Sequence, residues 1–271
     1  MIRFLLSLLL LQGTAATGPT VRKGPIIATQ GSSGSLPAFV QLCQASAGGT
    51  AQQNYTTTIA SSGGTTGCTT NFAAGDMIAV GYAVNTGTDL TTSSISATGA
   101  TITWRKAGSI LQSGGGSFNG ILYACPADIT SPTSSIAVTV NMGSSLSFSG
   151  IYTVEISGIQ NTTSCLDSGS VTNFTSASEA GTVMGPTATS STLLSANEFI
   201  FVSGDASGSP GGITGSGACF GGTCTLPAQG TNGNLNSAAE YIVVSSTTAG
   251  NTSFTKSATA SVKMLQAGFQ H

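Results

Sequence analysis

Residues 134–142 read SSIAVTVNM, and the large apolar residues fall on every second position. Ile136, Val138, Val140 and Met142 point one way, while Ala137, Thr139 and Asn141 point the other. Successive side chains of a strand leave opposite faces, so this spacing marks a β-strand with one face in a core. The same period runs through FSGIYTVEIS (148–157), where Phe148, Tyr152, Val154 and Ile156 lie opposite Ser149, Thr153, Glu155 and Ser157. In DMIAVGYAV (76–84), Ile78, Val80, Tyr82 and Val84 alternate with the smaller Ala79, Gly81 and Ala83. Further strands are expected at AFVQLC (38–43), TITWRKA (101–107), GILYAC (120–125), EFIFVS (198–203), EYIVVS (240–245) and SVKMLQAGF (261–269). Clusters such as QSGGGSFNG and SGSPGGITGSG separate them and supply turn chemistry. No window keeps a helical period, and no repeat of fixed length argues for a solenoid or propeller. The pattern predicts an all-β chain folded as a two-sheet antiparallel sandwich, jelly-roll or immunoglobulin-like, with long Gly/Ser/Thr loops.

Residues 1–18, MIRFLLSLLLLQGTAATG, have the parts of an export signal: basic Arg3, the apolar run Phe4 to Leu11, and small residues at Thr14-Ala15-Ala16. That run is shorter than the ~20 residues of a membrane-spanning helix, and no later segment spans a bilayer as a helix. Residues 19–37 read as an extended leader with one apolar patch, Ile26-Ile27, and 38–271 as a single β-sandwich domain. Only 6% of the residues are charged, against about 25% in an ordinary domain. Hydroxyl and amide side chains must therefore cover the surface. A net charge of −2 leaves no electrostatic footprint for nucleic acid or anionic lipid. The expected place is secreted, extracellular or at a cell surface, with copies of the chain or a surface glycan as partners.

The segments GDMIAVGYAV, TWRKA, GILYACPAD, VEISGI, CLD, NEFIFVSGDASG, AAEYIVVS and AGF follow in that order along residues 38 to 269. Their order resembles a β-sandwich domain that recurs in secreted bacterial and phage-related proteins. The resemblance implies a jelly-roll or immunoglobulin-like sandwich, often part of a surface or fibre protein. That family has no agreed catalytic residues to carry over. This chain departs from it by Ile156 in place of an aromatic and by its six cysteines.

Those cysteines stand at 43, 68, 125, 165, 219 and 224. An even number behind an export signal fits disulfides formed in an oxidising compartment. Sequence order favours Cys43 with Cys68, Cys125 with Cys165, and Cys219 with Cys224. A metal site wants about four ligands, and the single histidine is His271, so no metal or other cofactor is expected. In GACFGGTC (217–224), Gly221-Gly222 should let the chain turn for the bridge.

Catalytic groups are scarce. GDASG (204–208) has a serine but no histidine to serve as its base, so a turn is expected there. NTGTD (85–89) offers oxygen ligands for calcium but reads first as a turn. Trp104 beside Arg105 could present a glycan platform, although alternation with Ile102 places the indole inward. Glu155 and Glu240 could form an acid–base pair for glycoside hydrolysis only if they met across a substrate, and both are expected to face solvent. Asn54, Asn161, Asn173 and Asn251 head N-glycosylation acceptor sequences. The expected function is a non-enzymatic structural or adhesive surface protein, with Ile26-Ile27 as a candidate strand for self-assembly, set against a leader that is disordered or docked on its own domain. A carbohydrate-binding module is the second reading and a glycoside hydrolase the third.

Overall fold

The period-two segments pair with partners far away in the chain. In the computed structural model, the described residues run from 35 to 271 except 47–49, 62–66, 86–88, 112–116, 147–148, 186–192, 194–195, 208–211, 221, 233–234, 246 and 248. Ile26 and Ile27 lie outside the described residues, as does most of the expected leader.

Five strands form an N-terminal sheet in the order Ala38–Ser46, Ser149–Ser157, Met77–Val84, Phe118–Ala124 and Arg105–Leu111. Another five form a C-terminal sheet in the order Leu166–Glu179, Ala260–Phe269, Glu198–Ser207, Leu235–Val244 and Thr225–Asn232. Every pairing within the two sheets is antiparallel. The two sheets pack face to face, so the fold is the all-β sandwich that the alternation predicts. Each also carries a three-stranded cover on its outer face. Gln52–Ile59, Ile136–Leu146 and Ile95–Thr98 cover the first; Val183–Met184, Phe254–Lys256 and Ile213–Ser216 cover the second.

The two halves have the same topology. Counting in chain order the eight strands that each half gives to its large sheet and cover, the large sheet runs first, eighth, third, sixth, fifth, and the cover runs second, seventh, fourth. That is jelly-roll rather than immunoglobulin connectivity. The unit that the sequence presents as one domain is thus a tandem pair of jelly-roll-like halves, Ala38–Ser157 and Leu166–Phe269, within one compact unit. No sequence repeat announces this, because the covers differ so much: Ile136–Leu146 has 11 residues and its counterpart Phe254–Lys256 has 3.

Four sheets in a stack enclose three apolar layers. Ile78, Val80, Tyr82 and Leu122 meet the first cover. Ala79, Ile121, Val154 and Ile156 meet Phe199, Phe201, Leu265 and Phe269 between the large sheets. Ile200, Val202 and Met264 meet Phe254 beneath the second cover. Strands expected to be half-buried are therefore covered on both faces, and Met77–Val84 is buried at every position. Its small residues make this possible. A methyl group placed on Gly81 would come within 3.0 Å of the Ser203 side chain and 3.2 Å of the Phe201 ring.

The expected strand at 101–107 is broken. Thr101–Ile102 pairs with Ile129–Thr130, while Arg105–Leu111 joins the edge of the N-terminal sheet. At the break, the Thr103 N–H donates to the Asp128 carbonyl at 2.9 Å.

Candidate functional site

Three disulfides close between cysteines that are neighbours in sequence order: Cys43–Cys68, Cys125–Cys165 and Cys219–Cys224. The second crosses from the end of Phe118–Ala124 to the start of Leu166–Glu179, and so ties one half to the other. In the third, Phe220 is left-handed, at φ 43°, and Gly221 of the expected Gly221-Gly222 turn lies outside the described residues. The Phe220 N–H donates to the Asn251 carbonyl at 3.1 Å and its ring lies on Gly250, contacts that hold a conformation bulky residues avoid.

Glu240 lies within 4.8 Å of both sulfurs of that bridge. It is fully buried rather than solvent-facing, because the second cover lies over its side of the strand. Burial raises its pKa to about 8, against a smaller opposing effect of the Ser216 hydroxyl. The protonated carboxyl can then donate to Cys219 Sγ at 3.8 Å.

Glu155 is also buried, contrary to expectation, under the first cover. It accepts from the Ala73 N–H at 2.9 Å and from the Gln41 amide. Gln41 in turn donates to the Thr70 carbonyl and accepts from the Thr69 and Thr70 N–H groups. Beside it, Asp76 has its pKa raised to about 7 by burial and then by Glu155. Glu155 and Glu240 thus point to opposite outer faces, with both large sheets between them, and form no acid–base pair across a cleft.

Trp104 packs with Ile102 against the first core, and its indole Nε1 is buried with no hydrogen-bond partner among the described residues. Arg105 is clamped to Asp128, Nε to Oδ2 at 2.7 Å and Nη2 to Oδ1 at 2.9 Å. Asp128 Oδ2 also accepts from the Cys125 N–H at 3.2 Å. Trp104 thus packs inward, as its alternation with Ile102 implies, and Arg105, the other candidate for a glycan platform, is held by Asp128.

A surface cleft of about 210 Å³ opens elsewhere, lined by Asp89, Ser93, Ser94, Asn141 and Met142 among others. Asp89 accepts from Tyr82 at 2.8 Å, from Ser109 at 2.6 Å and from Lys106. Burial works against its charge, but these donors outweigh burial and hold its pKa below the ordinary value. Of the expected calcium loop, residues 86–88 lie outside the described residues. The acceptor asparagines 54, 161 and 173 are exposed.

The polar cluster that reading the sequence missed lies between the two large sheets. Lys263 and Asp205 face each other across adjacent strands, form an ion pair, and have no exposed surface. Lys263 Nζ also reaches Ser117 Oγ at 2.8 Å. Asn119 and Ser203 are fully buried in the same layer, and Asn119 Oδ1, Asn119 Nδ2 and Ser203 Oγ have no partner among the described residues. At the far side, Tyr152 OH and Ser237 Oγ share a hydrogen bond of 2.7 Å. Burial raises the Asp205 pKa, with Lys263 opposing it. Alternation alone could have found these groups. Asp205 has the parity of Phe199 and Phe201, and Lys263 that of Leu265 and Phe269. GDASG, expected as a turn, instead continues the strand Glu198–Ser207 as far as Ser207, with its acid buried.

No family model, curated protein or solved structure matches this chain. The roles of these residues rest on geometry alone.

Proposed function

We propose that the chain is a secreted, non-enzymatic structural or adhesive surface component that associates with copies of itself. One observation carries the reading: all four cations among the described residues are spent on internal fastening. Arg105 holds Asp128, Lys106 holds Asp89, Lys263 holds Asp205, and Lys256 donates to the carbonyls of Glu179, Gly181 and Ala258. Three disulfides add to this and suit an oxidising, exposed setting. Among the described residues, no helix is long and apolar enough to cross a membrane. What remains for contact is hydroxyl-rich surface and backbone at sheet edges, such as Ala38–Ser46 and Thr225–Asn232. An edge offers donors and acceptors to a strand from a second copy, and the Ile26-Ile27 leader is the segment we assign to that role.

Light scattering on the oxidised chain after size exclusion, over a hundredfold or so range of concentration, tests this. Growth into oligomers that disappears when residues 19–37 are deleted is the expected result; a monomer throughout would refute self-association. A second reading, a carbohydrate-binding module, is favoured by the hydroxyl- and amide-lined cleft. Loss of glycan retention in a folded Asn141→Ala protein would support it.

A further inference from the structure

Asn119 and Lys263 occupy the same level of the two facing sheets. Asn119 pairs with Ala83 and Lys263 with Asp205, within their own sheets. Gly81 lies on Ser203, and Gly108 lies 3.5 Å, measured from a methyl placed on it, from the Leu265 side chain. The first contact sets Met77–Val84 against Glu198–Ser207; Gly108, on Arg105–Leu111, pairs with Ile121, so the second puts the level of Ile121 beside Leu265 where Phe118–Ala124 packs on Ala260–Phe269. One step of two residues from these contacts brings Ala83 over Asp205 and Asn119 over Lys263. The bond from Lys263 Nζ to Ser117 Oγ shows the amine reaching across to the face that carries Asn119, since Ser117 shares its parity.

The layer thus holds an amine, a carboxyl in contact with it, and a primary amide whose oxygen and nitrogen both lack a partner among the described residues. All three residues are without exposed surface. A carboxamide buried with neither group bonded costs stability and calls for a reason.

We propose that Lys263 and Asn119 become joined by an isopeptide bond inside the folded protein, with Asp205 as the proton carrier. Asp205 first takes a proton from the Lys263 ammonium, which leaves a neutral amine and a neutral carboxyl. Exclusion of water favours this uncharged pair. The Asp205 carboxyl then donates to Asn119 Oδ1 while Lys263 Nζ attacks Asn119 Cγ. A new C–N bond forms. Asp205 returns the proton surplus of the attacking nitrogen to Asn119 Nδ2, the old C–N bond breaks, and ammonia leaves. Lysine ammonium, aspartate and asparagine amide are thereby converted to a secondary amide, ammonia and a neutral aspartic acid, with no oxidant or other reagent needed. Holding the three groups in place supplies the proximity that an intermolecular aminolysis lacks. The product locks the N-terminal large sheet to the C-terminal one, at the end of the layer away from Tyr123 and Phe269. This goes beyond self-association and does not depend on it.

The test is the intact mass of the full chain, reduced and denatured, with fragmentation of its protease digest. The expected result is a mass below that of the sequence by one ammonia, with a linked peptide containing both Asn119 and Lys263. The linked peptide distinguishes this from ammonia lost elsewhere. Asp205→Ala should keep the full mass. The sequence mass with separate Asn119 and Lys263 peptides would overturn the proposal. Loss of one water with Lys263 linked to Asp205 would overturn it too. A link that persists in Asp205→Ala would remove Asp205 from the role of carrier.

Discussion

Asp76 and Glu240 are carboxyls that burial keeps protonated, with folded pKa values of about 7 and about 8. In the unfolded chain both titrate near 4, so between about pH 4 and pH 8 the folded state binds more protons than the unfolded one. Stability is then fully present below the unfolded pKa and is lost as pH rises through the folded one. The denaturation midpoint should therefore fall between about pH 5 and pH 8. Glu240→Gln, which keeps the protonated shape, should flatten the upper part of that fall. A midpoint that rises over this range would contradict the account. At Gly204 the ring of Phe254 occupies the space a side chain would take. Gly204→Ala should cost about 1–3 kcal/mol by overpacking, read from urea denaturation. Asp205 was legible, since it keeps the parity of Phe199 and Phe201 toward the layer between the large sheets. Glu155 and Glu240 were misplaced because one more sheet lies over each large sheet than alternation implies.

Strands with a strong apolar period were legible, among them Met77–Val84, Ile136–Leu146, Glu198–Ser207 and Ala260–Phe269. Gln52–Ile59 and Leu166–Glu179 were not, since QQNYTTTI and LDSGSVTNFTSASE have few large apolar residues and form up by pairing with stronger neighbours. The disulfides separate the elements by loop length. Cys125–Cys165 spans 40 positions and Cys219–Cys224 spans 5. In the chain-entropy view, loops differing so much should differ in stabilisation by about 2 kcal/mol. Replacing the Cys125–Cys165 pair by alanines should lower the denaturant midpoint more than replacing the Cys219–Cys224 pair. Equal losses would mean that native-state packing around the bridges dominates.

At the scale of the molecule, the apolar layer between the large sheets belongs equally to both halves. Phe39 and Phe199 both stack on Tyr241, with ring centroids 4.7 Å and 5.1 Å away, and Tyr123 meets Phe269 at 5.3 Å. Neither half can lose the other without exposing its share of that layer. Calorimetry should accordingly give one unfolding transition with matching calorimetric and van't Hoff enthalpies; two resolved transitions would mean independent halves. The duplication itself was invisible in the sequence, because it lives in strand order and not in residue identity.

That strand order has a bearing on biosynthesis. In each half the last strand made, Ser149–Ser157 or Ala260–Phe269, inserts between the first and third rather than adding at a rim. A nascent chain emerging from the ribosome therefore cannot complete either large sheet until the closing segment of that half has appeared. The C-terminal half stays unzipped until residue 269 or thereabouts is free. Each half therefore stays open until its own closing strand is made and then completes in a single step.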